Sequence, residues 1–173
     1  DLRYRNIAYR IEGQPVELTA GNATTDDPRG SGSKIITKFA GNELRKDMNG
    51  DGREDVAFLL TQERGGTGTF YYVVAALDTD SGFVGSDAVL LGDRVAPQAM
   101  VSGSGRSIIV TYADRKPGEP MTSTRASSVG SSASVLVEIT NMPAATVRKS
   151  MPLPLQCHAS TARSTATGPS VAR

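Results

Sequence analysis

Along this chain the apolar positions fall into short β-like runs, broken by turns that carry Gly, Pro or Asp. Tyr4 to Ile11 alternates polar and apolar residues, Glu12-Gly13-Gln14-Pro15 interrupts it, and Val16-Glu17-Leu18 resumes: strand, turn, strand. Thr19 to Gly32 is polar and Gly-rich and reads as a loop, after which the β-branched Lys34 to Phe39 reads as the next strand. Val56 to Thr61 is a continuous apolar run, the pattern of a central strand buried on both faces. Periodicity alone does not separate it from a short helix. Glu63 to Gly68 is a turn, and the aromatic and β-branched Thr69 to Leu77 is the strongest strand signal present. The two runs therefore predict an antiparallel hairpin closed by a Gly-rich loop. Asp78 to Gly82 reads as a further turn; Ala88 to Leu91, Ser107 to Tyr112 and Val135 to Ile139 read as three more strands.

This succession predicts a mainly β chain: a small antiparallel sheet or sandwich-like domain over residues 1–140, with no internal repeat. After Asn141 the character changes. Ser, Thr, Ala, Arg and Pro dominate, no aromatic residue follows Tyr112, and too little apolar surface remains to offset the entropy of ordering. Residues 141–173 are therefore expected to be a disordered or extended tail. Ser123 to Ser134 is expected to be a loop or linker before the last strand, and Tyr112 to Met121 either a rigid connection or a partner-binding surface.

Composition sharpens this picture in a few places. Eighteen Gly and nine Pro suit a turn-rich β domain, while a net charge of +1 gives no electrostatic reason to expect nucleic acid or an anionic membrane as partner. One cysteine, Cys157, and one histidine, His158, exclude an internal disulfide and a structural zinc site of the usual kind. They also leave no Ser/His/Asp or Cys/His machinery outside the expected tail. No apolar run approaches the ~20 residues of a membrane-spanning helix. The first residue, Asp1 rather than Met, suggests a processed or trimmed N-terminus.

The segment richest in chemistry is Asp47-Met48-Asn49-Gly50-Asp51-Gly52-Arg53-Glu54-Asp55. Calcium takes six to eight oxygens at about 2.3–2.6 Å, which a short loop supplies only when oxygen-bearing side chains recur and turn inward. Here positions 1, 3, 5 and 9 are Asp47, Asn49, Asp51 and Asp55, and position 7 offers the backbone carbonyl of Arg53. Gly50 and Gly52 permit the positive-φ backbone that such convergence requires. Without an ion the same residues form a solvated Asx/Gly turn. An EF-hand is excluded, because its twelfth position must be a bidentate Glu and is here Phe58.

The loop resembles the one in integrin-type FG-GAP repeats, in which a ninth-position Asp closes the ring and a strand follows. That resemblance implies calcium on Asp47, Asn49, Asp51 and Asp55; it does not extend to a propeller, since no second copy is present. A wider resemblance, over Tyr4 to Met121, is to an uncharacterised bacterial envelope or secreted domain found in lipoprotein-like proteins. It is carried by Gly41-Asn42-Glu43, the loop with Val56 to Gln62, Gly68 to Leu77, Val89 to Gln98, and Tyr112 to Met121. Beyond Met121 the chain departs from that pattern, as either a natural variant or an altered reading frame would make it do.

These features together lead to the expectation of a non-enzymatic, calcium-binding, extracytoplasmic β domain (periplasmic, surface-bound or secreted) with a structural or interaction role. Its partners are then the calcium ion and a protein partner or a second copy. The rivals are a subunit of a calcium-stabilised surface polymer or sheath, and an envelope-polymer hydrolase built on a carboxylate such as Glu43 or Glu63. Three minor sites have plainer readings: Gly65 to Gly68 as a hairpin turn rather than a phosphate cradle, Asp78 and Asp80 as a turn rather than a second ion site, and Asp93-Arg94 and Asp114-Arg115-Lys116 as local ion pairs.

Overall fold

The two most apolar runs of the chain lie side by side, and the remaining described elements are arranged around them. The computed structural model describes residues 1–28, 30, 32–113, 132–140 and 146–150. In chain order a short 3₁₀ turn, Arg3–Asn6, is followed by β1 (Ala8–Ile11), β2 (Gln14–Glu17), β3 (Asn22–Asp26), β4 (Lys34–Lys46), β5 (Asp55–Glu63) and β6 (Thr69–Thr79). There follow β7 (Gly82–Gly85), β8 (Val89–Asp93), β9 (Ala96–Ser102), β10 (Ser107–Ala113), β11 (Ser132–Thr140) and β12 (Thr146–Ser150). All strand pairs in the sheets are antiparallel. The protein is mainly β, as its patterning predicts, and among the described residues no helix is long and apolar enough to cross a membrane.

β5 and β6 form the expected hairpin, in register from Val56 opposite Ala76 to Glu63 opposite Thr69. They are the middle of a six-stranded sheet in the order β3-β4-β5-β6-β7, with β8 pairing the other half of β6. Because successive side chains in a strand point to opposite faces, a run with no polar member must be covered twice. Val56, Phe58 and Leu60 of β5, with Tyr72, Val74 and Ala76 of β6, pack against Tyr4, Tyr9, Ile11, Val16 and Leu18 of the N-terminal segment. Ala57 and Leu59, with Val73, Ala75 and Leu77, face the other way. They pack on Ile108, Val110, Tyr112, Val135 and Val137 of the four-stranded sheet β12-β11-β10-β9. The architecture is a sandwich of two sheets with a third layer, the β1–β2 hairpin and 3₁₀ turn, over the outer face of the larger one.

Phe58 is the centre of the N-terminal core. Its ring lies 5.3 Å from that of Tyr4, 5.4 Å from Tyr9 and 5.4 Å from Phe39, in tilted or edge-on arrangements that suit aromatic quadrupoles. Tyr4 is also pinned at its polar end: its hydroxyl donates to Glu43, to which Arg5 donates at 2.5 Å. Arg5 in turn lies 3.8 Å from the centre of the Phe39 ring.

Several elements differ from their sequence expectation. The first strand begins at Ala8 rather than Tyr4, because Tyr4 is drawn inward by the 3₁₀ turn that Arg5 N–H closes on the Leu2 carbonyl. The expected loop 19–32 contains β3, an edge strand of mostly polar residues that pairs with Lys34–Lys38. β4 runs on past Phe39 to Lys46 through irregularities around Gly41. Asp78 and Thr79 belong to β6, not to a turn, and β7 and β9 were not foreseen. β12 lies within the stretch set apart as a tail and pairs with β11. The remainder of that tail, with Cys157 and His158, lies outside the described residues, as do Asp114 to Met121 and most of Ser123 to Ser134.

Since Phe58 touches three other rings and is wholly buried, Phe58→Ala is expected to cost about 3–5 kcal/mol of unfolding free energy in a urea titration. A loss below about 1 kcal/mol would contradict the central place given to this ring.

Candidate functional site

Asp47 to Asp55 is the connection between β4 and β5. Lys46 and Asp55 are cross-strand partners at its base, so the ninth residue of the motif is already in the buried strand. The side chains at positions 1, 3 and 5 each fold back onto the loop. Asp47 Oδ1 accepts from Gly50 N–H at 2.6 Å and Oδ2 from Gly52 N–H at 3.0 Å. Asn49 Oδ1 accepts from Asp51 N–H at 2.9 Å, and Asp51 Oδ1 from Arg53 N–H at 2.8 Å. Asn49 Nδ2 also donates to Asp51 Oδ2 at 2.9 Å. Successive Asx turns of this kind require a left-handed backbone at intervals, and Gly50 and Gly52 supply it at φ of +86° and +84°.

Asp55 behaves differently. It is completely buried, and its two oxygens accept from Met48 N–H and Asp78 N–H, each at 2.8 Å. It thus binds the start of the loop to the end of β6. Among the described residues no cationic side chain pairs with it. Burial pushes its carboxyl above the usual aspartate value, against the two N–H bonds, and the charges of Asp51 and Asp47 push in the same direction as burial. Asp47 is held below that value, chiefly by the N–H groups of Gly50 and Gly52.

Arg53, whose carbonyl was the expected seventh-position donor, directs its guanidinium to Asp80. Asp80 is therefore tied to the loop as an ion-pair partner, while Asp78 contributes its backbone N–H. Among the described residues no three His, Cys, Asp or Glu side chains are gathered closely enough to hold a metal by themselves. The donors that the motif adds, the Asn49 amide oxygen and the Arg53 carbonyl, fall outside that set of residue types. A carboxylate oxygen that accepts one N–H also keeps a second lone pair. The donor chemistry, all oxygen and rich in carboxylate, fits a hard cation such as calcium.

The other candidates resolve into ordinary structure. Gly65 to Gly68 lies in the β5–β6 connection, and Asp93 pairs with Arg94 at 2.6 Å while accepting from Thr69 N–H at 3.0 Å. Glu43 is engaged by Tyr4 and Arg5, and Glu63 lies 3.7 Å from Lys38. A cleft of about 460 Å³ opens between the β1–β2 hairpin and β3, away from the loop residues. In its wall Arg64 donates to Gln62 at 2.8 Å and to Tyr72 at 2.6 Å and pairs with Glu12 at 2.6 Å. Sequence patterning did not mark Lys46, Met48 or Arg106 as part of the loop's surroundings. Met48 had one visible signal, a lone apolar residue inside a polar loop. Comparison with protein-family models, curated proteins and solved structures found no match.

The sign of the Asp55 effect is testable. Its folded-state pKa is raised, so the folded chain holds this proton more tightly than the unfolded chain does. The stabilisation is complete below the unfolded value and is lost as pH rises through the folded one. Glu43 acts oppositely: burial raises its pKa, but the Tyr4 and Arg5 hydrogen bonds outweigh this and hold it low. In chelator, the stability of the parent relative to Asp55→Asn is expected to fall as pH climbs from about 4. Parallel stability curves for the two proteins would show that Asp55 carries no such strain.

Proposed function

We propose that this protein is a calcium-binding β domain of the cell envelope or exterior, with a structural or interaction role and no catalysis. The observation that carries the reading is Asp55: a fully buried carboxylate with two further carboxylates acting on it and, among the described residues, no cationic side chain to balance it. Buried charges in proteins are paired, coordinate a metal, or are neutralised by a proton. A divalent cation held by Asp47, Asn49, Asp51, the Arg53 carbonyl and Asp55 balances the charge and uses the oxygens that this loop concentrates. Its role is to tie the loop to the first residue of the most deeply buried strand. Placement outside the cytoplasm rests on the affinity of such modules, at the weak end about 10⁻⁴–10⁻³ M, which suits a calcium-rich medium. The likeness of Tyr4 to Met121 to an envelope domain points the same way.

A ligand that binds only the folded state raises its stability by RT ln(1 + [L]/Kd), about 2.7 kcal/mol at a hundredfold excess over Kd. Calcium titrated into chelator-treated protein is therefore expected to raise the melting temperature, magnesium to do so much less, and Asp51→Ala to abolish the rise. No shift at about 10 mM calcium, with no metal found in the protein as purified, would reject the reading.

A further inference from the structure

The β4–β5 loop does more than close a hairpin, because alternate residues along its first half reach the other sheet. Lys46 Nζ donates to the carbonyls of Gly103, in the β9–β10 connection, at 3.0 Å and of Ser107, the first residue of β10, at 3.3 Å. Met48 is fully buried and belongs to the core between the sheets, together with Ile108, Val110 and Val137 of the smaller sheet and Leu59 and Val73 of the larger. A Cβ placed on Gly50 would lie 3.1 Å from Arg106 Nη2, so the Arg106 guanidinium lies close against the loop backbone.

The β9–β10 connection is itself well defined. Gly103 N–H donates to the Ser107 carbonyl at 3.0 Å, and Ser107 Oγ donates to the Ser104 carbonyl at 2.6 Å. The backbone of Met48 is fixed from the opposite direction, by Asp55, whose other oxygen holds the Asp78 amide of β6. Hydrogen bonds thus link β6 through Asp55 to Met48, whose side chain lies in the core that β10 shares.

We infer that this loop is a strap fastening the four-stranded sheet to the six-stranded one, and that loading of the loop with calcium sets how firmly the smaller sheet is docked. The second half of that statement rests on the calcium reading above; the first half does not. Release of the strap removes the Lys46 hydrogen bonds and withdraws Met48 from the inter-sheet core. β5 and β6 keep their mutual pairing and their cover from the N-terminal layer. The smaller sheet is then the part that opens first, as a unit, in the manner of cooperative sub-global unfolding.

The test is hydrogen–deuterium exchange of the full chain, followed segment by segment. Lys46→Met removes the ammonium donors and keeps the apolar stem, and is expected to speed exchange in residues 107–113 about tenfold, with residues 55–63 and 69–79 nearly unchanged. Lys46→Arg, which restores a donor, is expected to return 107–113 toward the parent. Equal acceleration in all three segments, or none, would overturn the strap. Met48→Ala provides a second route should Lys46→Met fold poorly, with Met48→Leu as its volume-conserving control.

Calcium at about 5 mM, against chelator, is expected to slow exchange in 107–113 of the parent, and this slowing is lost in Lys46→Met. Slowing confined to the loop would refute the coupling while leaving the calcium reading intact. An absence of any calcium effect would refute that reading and the loading half of the inference, while the Lys46 variants still decide the strap.

Discussion

The pairing of β5 with β6 is the constraint on which the other layers depend. From Val56 to Leu60 and from Tyr72 to Leu77 the side chains are apolar and buried without exception, whichever face they point to. A hairpin of that composition left alone in water would expose two greasy surfaces and a pair of bare edges. The rest of the fold supplies what it lacks. β4 and β3 extend one edge, β7 and β8 the other, the N-terminal aromatic cluster covers one face, and β10 and β11 cover the second. Burial of apolar surface, worth roughly 25 cal/mol per Å², is what offsets the entropy of ordering, and both covers contribute to it.

The two covers are attached by different means. On the N-terminal side the contact is mostly aromatic, with polar ends satisfied at the rim: Tyr4 on Glu43, and Tyr9 donating to the Tyr4 carbonyl at 2.5 Å. On the other side the contact is mostly aliphatic, and at one end it is joined by the β4–β5 loop. There a buried carboxylate, Asp55, accepts from two backbone N–H groups of separate elements, Met48 and Asp78. Natural chains keep such groups where a specific geometry or a ligand makes use of them. On the calcium reading proposed above, the loop is both a charge-balanced site and a joint between layers.

Much of this was legible in the sequence, for identifiable reasons. The β5–β6 hairpin was, because an apolar run, a Gly-rich break and an aromatic run leave few alternatives. The loop was, as a turn between two strands, because Gly50 and Gly52 set among Asp and Asn residues break the strand pattern. β3 was hidden because its inward positions, Ala23 and Thr25, are only partly buried and too weakly apolar to give an alternating signal. β9 was hidden for a related reason: most of its residues are exposed, and Ala, Pro and Gln carry little β signal. The 3₁₀ turn at Tyr4 was missed because alternation continued through it, while Tyr4 is held by partners far along the chain, Phe58 at its ring and Glu43 at its hydroxyl. Lys46 could not have been assigned its role from sequence, since its acceptors are carbonyls of residues some sixty positions away.

The order of the layers along the chain also matters for how the protein is made. The aromatic cover, residues 4–18, precedes the central hairpin, whereas the aliphatic cover, which extends to Val137, follows it. During synthesis, then, the hairpin meets its first cover as soon as it emerges. The face carrying Leu59, Val73 and Ala75 is not fully covered until about sixty further residues have been added, several seconds at ordinary elongation rates. That interval is when this chain is most exposed to association with its neighbours, and the surface at risk is one that the finished protein never shows.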